Sequence, residues 1–105
     1  MASSSGGRRK RLVSSLDGEV LVRLSMKLNP KMLLKDYQTL AGKLKYTYEY
    51  IRNFARDSDP TLALLQHWWS NKRGNEKTVS VLIGLLSDME RDDAVELLRP
   101  YEYYS

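Results

Sequence analysis

Apolar residues in this chain recur at intervals of three and four, in short runs cut off by proline or by capping side chains. That spacing lines one face of a 3.6-residue helix, and no stretch keeps the period of two that a strand needs. The expected fold class is therefore all-α. Val20, Leu21, Leu24 and Leu28 form the first apolar face, which ends near Asn29-Pro30 because the residue before a proline is pushed out of helical geometry. Asp36 is placed to cap a second helix burying Tyr37, Leu40, Ala41 and Leu44. Thr47 is placed to cap a third, with Tyr48, Ile51 and Phe54 turned inward. Asp59-Pro60 is the sharpest local signal, an Asp cap followed by Pro at the first helical position. It opens a fourth helix through Leu62, Leu65, Trp68 and Trp69, and residues 71–77 then read as an exposed basic loop. Thr78 caps a fifth helix, with Val79, Leu82, Ile83, Leu86 and Met89 inward; being apolar nearly all round, it is expected to be the central one. After a turn over residues 88–92, a short sixth helix uses Ala94, Val95 and Leu98, and Asp92 and Asp93 suit its N-terminal dipole. Pro100 ends it.

A chain of 105 residues has room for one core. Residues 1–15 are expected to be a disordered leader, small and polar to Gly7 and basic from Arg8 to Arg11. Residues 16–100 make the helical domain, and residues 101–105 a C-terminal tail containing Tyr101, Tyr103 and Tyr104. The Arg8–Arg11 cluster suits a nuclear address or a phosphate patch, although a solvated tail is the plainer reading.

Chemistry is scarce. With no cysteine, disulfide scaffolds, thiol nucleophiles and Cys-ligated zinc are excluded, and an intracellular, reducing, cytoplasmic setting fits. One histidine, His67, leaves no room for a Ser-His-Asp machine or a His-rich metal site, and it reads as an ordinary, partly exposed side chain. Adjacent acids such as Asp92 and Asp93 do not face each other across a helix, and no glycine-rich phosphate loop occurs. No catalytic residue, cofactor site or metal site is expected. No apolar run approaches the ~20 residues of a membrane span, and the N-terminus lacks the apolar stretch of a secretory signal.

The formal charge of +4 conceals a gradient. Residues 1–35 carry eight bases against two acids, residues 36–77 seven against five, and residues 78–105 two against six, giving +6, +2 and −4. A pI near 9.4 raises the possibility of nucleic-acid binding, but the acidic final third would repel phosphates and no single helix face gathers the basic residues. Opposite charge at the two ends can instead steer one copy onto another. Trp68 and Trp69 are adjacent, about 100° apart on a helix, so both fit poorly into one small core. Trp69 either edges the core or anchors a contact, as Trp often does at interfaces, and Tyr46, Tyr48 and Tyr50 pose the same question.

Asp36-Tyr37-Gln38-Thr39-Leu40-Ala41 resembles the Asp-Trp-x-x-Leu-Ala opening of the second helix in death domains, with Tyr37 in place of tryptophan. Within that superfamily the chain is similar to the death domain of the myeloid differentiation primary response adaptor, which links Toll-like and interleukin-1 receptors to their kinases. The similarity is carried by Leu24-Ser25 and Leu28-Asn29, Tyr48-Glu49-Tyr50-Ile51-Arg52, Asp59-Pro60-Thr61, Leu64-Leu65 and Trp68, and the run from Val79 to Arg91-Asp92-Asp93. It covers about residues 20–98. Two features depart from that adaptor: a longer, more basic segment between Trp68 and Val79, and Gly42-Lys43 where the adaptor is acidic.

The resemblance implies a six-helix antiparallel bundle of the death-domain type and a non-enzymatic signalling role. Copies would stack helically by homotypic, asymmetric contacts and recruit the death domains of receptor-associated kinases in innate immune signalling. On that reading Lys72, Arg73 and Lys77 would meet Asp88, Glu90, Asp92 and Asp93 of a neighbour, with Trp69 as an anchor beside them. Glu49, Arg52, Asn53 and Arg56 of the third helix would dock near Lys31, Lys35 and Asp57 of another copy. A receptor-associated kinase, a receptor tail and a decoy inhibitor are the alternatives within the family, and a nucleic-acid-binding helical domain the alternative outside it.

Overall fold

A computed structural model describes residues 9–31, 33, 35–71 and 77–104. Six α-helices lie among them: α1 (Gly18–Leu28), α2 (Tyr37–Lys43), α3 (Tyr48–Ala55), α4 (Pro60–Ser70), α5 (Val79–Asp88) and α6 (Asp92–Leu98), flanked by single 3-10 turns at Val13–Ser15 and Arg99–Tyr101. The all-α class and the six helices are those expected.

Three of the four anticipated caps form. Asp36 Oδ1 accepts from the amides of Gln38 and Thr39 at 3.1 and 3.3 Å. Asp59 Oδ1 accepts from Leu62 at 3.1 Å with Pro60 in the first turn, and Thr78 Oγ1 accepts from Val81 at 3.2 Å. Each such cap contributes about 1 kcal/mol by satisfying an amide that the helix leaves unpaired. Thr47 holds the cap position of α3, but its side chain makes no cap bond.

Leu24, Leu28, Leu40, Leu64, Leu65, Leu82, Leu86 and Leu98 are fully buried and form one core. Its hub is α4, packed against α1, α2 and α3, whereas the main partners of α5 are α6 and α2. This differs from the expectation that α5 is central. The extra apolar side chains of α5, Val81 and Leu85, remain half-buried beside an open groove.

In α4, Leu64, Leu65 and Trp68 are buried, while Leu62 is half-buried. One inward assignment changes. In α3, Tyr48 is 72% exposed. Two steps of three residues rotate a side chain by about 600°, which leaves Tyr48 about 120° from Phe54. Spacing of four keeps Tyr50 on the side of Phe54, and their ring centroids lie 6.4 Å apart.

The leader is the largest difference. Residues 9–13 lie between the start of α5 and the C-terminal residues, through Val13 N–H to Lys77 O, Val79 N–H to Arg11 O, Arg11 N–H to Glu102 O and Tyr104 N–H to Arg9 O, all 2.8–3.0 Å. Val13 is completely buried and Leu16 nearly so. Val13 and Leu16, behind the basic cluster, supply the apolar surface that ties the segment down. Residues 101–104, expected to trail as a tail, complete this clasp, while residues 1–8 of the expected leader, Arg8 included, lie outside the described residues.

Candidate interaction surfaces

The outward face of α3 follows from its amphipathic spacing: with Phe54 buried and Ile51 half-buried, the intervening side chains point to solvent. Glu49, Arg52, Asn53 and Arg56, the four residues assigned to this face from the sequence, together line one shallow polar depression. Among the described residues no ion pair engages Glu49, Arg52 or Arg56. The Arg52 guanidinium lies over the Tyr48 ring, 5.7 Å from its centroid.

The receiving loops on the other side of this expected pairing are fixed by Asn29. Its Oδ1 accepts from the Thr61 amide at 3.0 Å and the Thr61 hydroxyl at 2.6 Å, and its amide nitrogen donates to Asp59 Oδ1 at 3.1 Å. This ties the α1–α2 connection, which carries Lys31 and Lys35, to the α3–α4 connection, which carries Asp57. Lys31 is exposed, and Asp57 Oδ1 accepts from the Asp59 amide at 3.0 Å, which shapes the entry to α4.

The acidic turn is built differently. Arg91, buried to 6% exposure, sends its guanidinium to the carbonyls of Lys35 and Lys27, both at 2.8 Å, and makes a two-pronged contact with Asp93 at 3.0 Å on each oxygen. Lys27 Nζ lies 3.7 Å from Asp93, and Lys35 Nζ 4.0 Å from Glu90. The hydrogen bond from Arg91 is the main cause that holds the Asp93 carboxyl below its ordinary value, with smaller help from the Ala94 amide and the charges of Arg91 and Lys27 against the opposing effect of burial. Glu90 has φ of 60°, a left-handed conformation that lets the chain reverse between α5 and α6. Asp88 and Asp92 are exposed there without an ion pair among the described residues. Lys35, assigned to the other patch, therefore belongs to both, since it reaches the acidic turn within its own chain.

Of the basic partners expected for that turn, Lys72 and Arg73 lie outside the described residues. Lys77 is half-buried with its ammonium 5.8 Å above the Trp68 ring. Trp68 is buried, and Trp69 is half-buried against the core, at its edge.

Three clusters were not assigned from the sequence. Arg91 was read only as part of the run from Val79 to Arg91-Asp92-Asp93, although an arginine preceded by Glu90 and followed by two acids signals internal pairing. His67 sits among Tyr46, Tyr50 and Phe54, with centroids 5.2–5.8 Å away, and its Nδ1 is 2.8 Å from the Tyr46 hydroxyl. Burial, with a smaller effect from Tyr50, pushes the Tyr46 hydroxyl above its usual value. The spacing of four through residues 46, 50 and 54 carried that signal. The third is the clasp, where Arg11 lies 5.8 Å from the Tyr101 centroid and 5.6 Å from that of Tyr104. No group of three or more His, Asp or Glu among the described residues could hold a metal ion, and no helix among them is long and apolar enough to cross a membrane.

Comparison with known proteins agrees with the six-helix fold. The family model for the death domain matches residues 22–102. The death domain-containing membrane protein NRADD of Rattus norvegicus is 39% identical over 64 residues, covering 61% of this chain and 28% of that protein. Its counterpart in Mus musculus is 38% identical over 64 residues, with the same coverage. The match thus spans 28% of the length of these curated relatives. No solved structure matches the chain.

Proposed function

Because the chain belongs to the death-domain family, we propose that it works by docking on other death domains, its own copies included, rather than by catalysis. Death domains are interaction modules, and a stack grows when one patch meets a different patch on the next copy, leaving an open surface each time. The observation that carries this reading is the convergence of Glu49, Arg52, Asn53 and Arg56 in one exposed depression of α3. The Asn29-linked loops bearing Lys31, Lys35 and Asp57 are its complement on a neighbouring copy. A second contact pairs the basic segment around Lys72, Arg73 and Lys77 with Asp88, Glu90, Asp92 and Asp93, with Trp69 at its margin.

The in-register resemblance to the myeloid differentiation adaptor supports a more specific role: a cytoplasmic adaptor domain that nucleates a helical oligomer and recruits receptor-associated kinases in Toll-like and interleukin-1 receptor signalling. A second reading is favoured by the curated relatives, whose name describes membrane proteins containing a death domain. On it, the domain is the intracellular tail of a receptor-like protein.

Light scattering of the purified chain across concentration and salt tests association, and repeating it with a receptor-associated kinase death domain separates the two readings. Self-association that weakens as salt screens the patches, together with a co-assembly with the kinase domain, supports the adaptor. A chain that stays monomeric at every concentration, with and without the kinase domain, overturns homotypic docking.

A further inference from the structure

The basic run Arg9-Lys10-Arg11, used by neither docking patch, stands directly upstream of an unengaged serine. Ser14 is exposed, and its hydroxyl makes no hydrogen bond among the described residues. Ser15 next to it is occupied: its hydroxyl donates to the Leu12 carbonyl at 2.8 Å and accepts from Arg11 Nε at 3.2 Å and from the Tyr104 hydroxyl at 3.3 Å. Arginines stand three and five residues before Ser14, a combination that no other serine or threonine of the chain has. Two permanent positive charges on one side of a free hydroxyl match the acidic substrate cleft of an arginine-directed protein kinase.

We propose that Ser14 is a phosphorylation site for an arginine-directed serine/threonine kinase, gated by the clasp between the two terminal segments and loosening that clasp once modified. In the transfer, Ser14 Oγ attacks the γ-phosphorus of magnesium-bound ATP on the kinase. The new Oγ–P bond forms as the bond to the β-phosphate oxygen breaks, ADP leaves, and the hydroxyl proton passes to the kinase's base.

The gate follows from how the clasp uses the same arginines. The Arg11 backbone bonds to Glu102 and Val79, and its guanidinium faces the rings of Tyr101 and Tyr104. Arg9 lies over Tyr104 at 5.6 Å, and the Tyr104 amide bonds back to Arg9. A kinase cleft takes its substrate as an extended chain, so residues 9–14 are presented only when this segment lifts. Terminal segments open locally at lower free energy than the whole fold. After transfer, a phosphate of nearly two negative charges stands three residues from Arg11 and draws its guanidinium off the tyrosine rings.

The test uses the full chain with the catalytic subunit of cAMP-dependent protein kinase and magnesium-ATP, with phosphate located by tandem mass spectrometry. Phosphate is expected on Ser14, at least tenfold less in Ser14→Ala, and still on Ser14 in Ser15→Ala. Tyr104→Ala is expected to raise the initial rate about fivefold, and Tyr104→Phe, which keeps the ring and loses only the hydroxyl bonds, about twofold. In the phosphorylated chain the amides of Arg11 and Tyr104 are expected to exchange hydrogen about tenfold faster. Absence of phosphate from Ser14 in both the native chain and Tyr104→Ala overturns the site. Equal rates in the native chain and both Tyr104 variants overturn the gate, and unchanged exchange after modification overturns the loosening.

Discussion

Glu49, Arg52, Asn53 and Arg56 on α3 and Asp88, Glu90, Asp92 and Asp93 around the α5–α6 turn are both exposed polar clusters, yet their charges are satisfied differently. On α3 no ion pair among the described residues holds the side chains. At the turn, Lys27, Lys35 and Arg91 of the same chain neutralise Asp93 and Glu90. The α3 cluster is thus available to a partner, whereas half of the turn is committed to fixing the α1–α2 connection against α6. Charge counted along a sequence overstates what a surface offers, because a carboxylate beside a buried guanidinium is already part of the fold.

The most severe way to break this comparison is to remove the guanidinium. Arg91→Ala leaves the carbonyls of Lys27 and Lys35 and the Asp93 carboxylate without their shared partner, a loss of about 3 kcal/mol. For a domain of this size that lowers Tm by about 12 °C or more, measurable by calorimetry. Arg91→Lys recovers only part of it, since an ammonium cannot reproduce the planar fork. A smaller loss, about 2 kcal/mol, is expected from Asn29→Ala, which strips the fully buried Thr61 hydroxyl of its acceptor and separates the two loops. If either variant melts with the native chain, the turn and loops are not held in the way described.

Reversal of the α3 charge separates association from folding. Arg52→Glu is expected to weaken self-association about tenfold, roughly 1.4 kcal/mol, while Tm moves by less than about 2 °C. The same reversal at the turn, Asp93→Arg, is expected to lower Tm because it places a cation against Arg91 and Lys27. Sedimentation and melting of both variants side by side sharpen the contrast. An Arg52→Glu chain that associates normally removes α3 from the contact.

Much of this was legible in the residues. The helix starts at Asp36, Asp59 and Thr78 are written locally, since a capping side chain acts within three residues of itself. The four α3 residues were legible because a single short amphipathic helix has only one outward face. The Arg91 hub was not, because its acceptors are backbone carbonyls 56 and 64 residues away, and a carbonyl has no sequence signature. The clasp was hidden for the same reason: its ladder is main chain against main chain, and the basic side chains around it advertise solvent. Tyr48 was misplaced because spacings of three drift around the helix while spacings of four stay on its face.

The smallest expected effect concerns acid. Asp93 ionises more readily in the folded chain than in the unfolded one, so the unfolded state binds more protons as pH falls below the ordinary carboxylate value of 3.8. Its contribution is therefore fully present above that value and is lost as pH falls through the lower folded value. Asp93 is half-exposed, so water screens the pair and the contribution stays below about 1 kcal/mol. Asp93→Asn is expected to be slightly less stable than the native chain at neutral pH, and the difference is expected to close as the pH is brought down. Urea melts of the pair at stepped pH measure it directly, and a gap that stays constant from neutral to acid pH would show that the Asp93 charge does not hold the turn to Arg91.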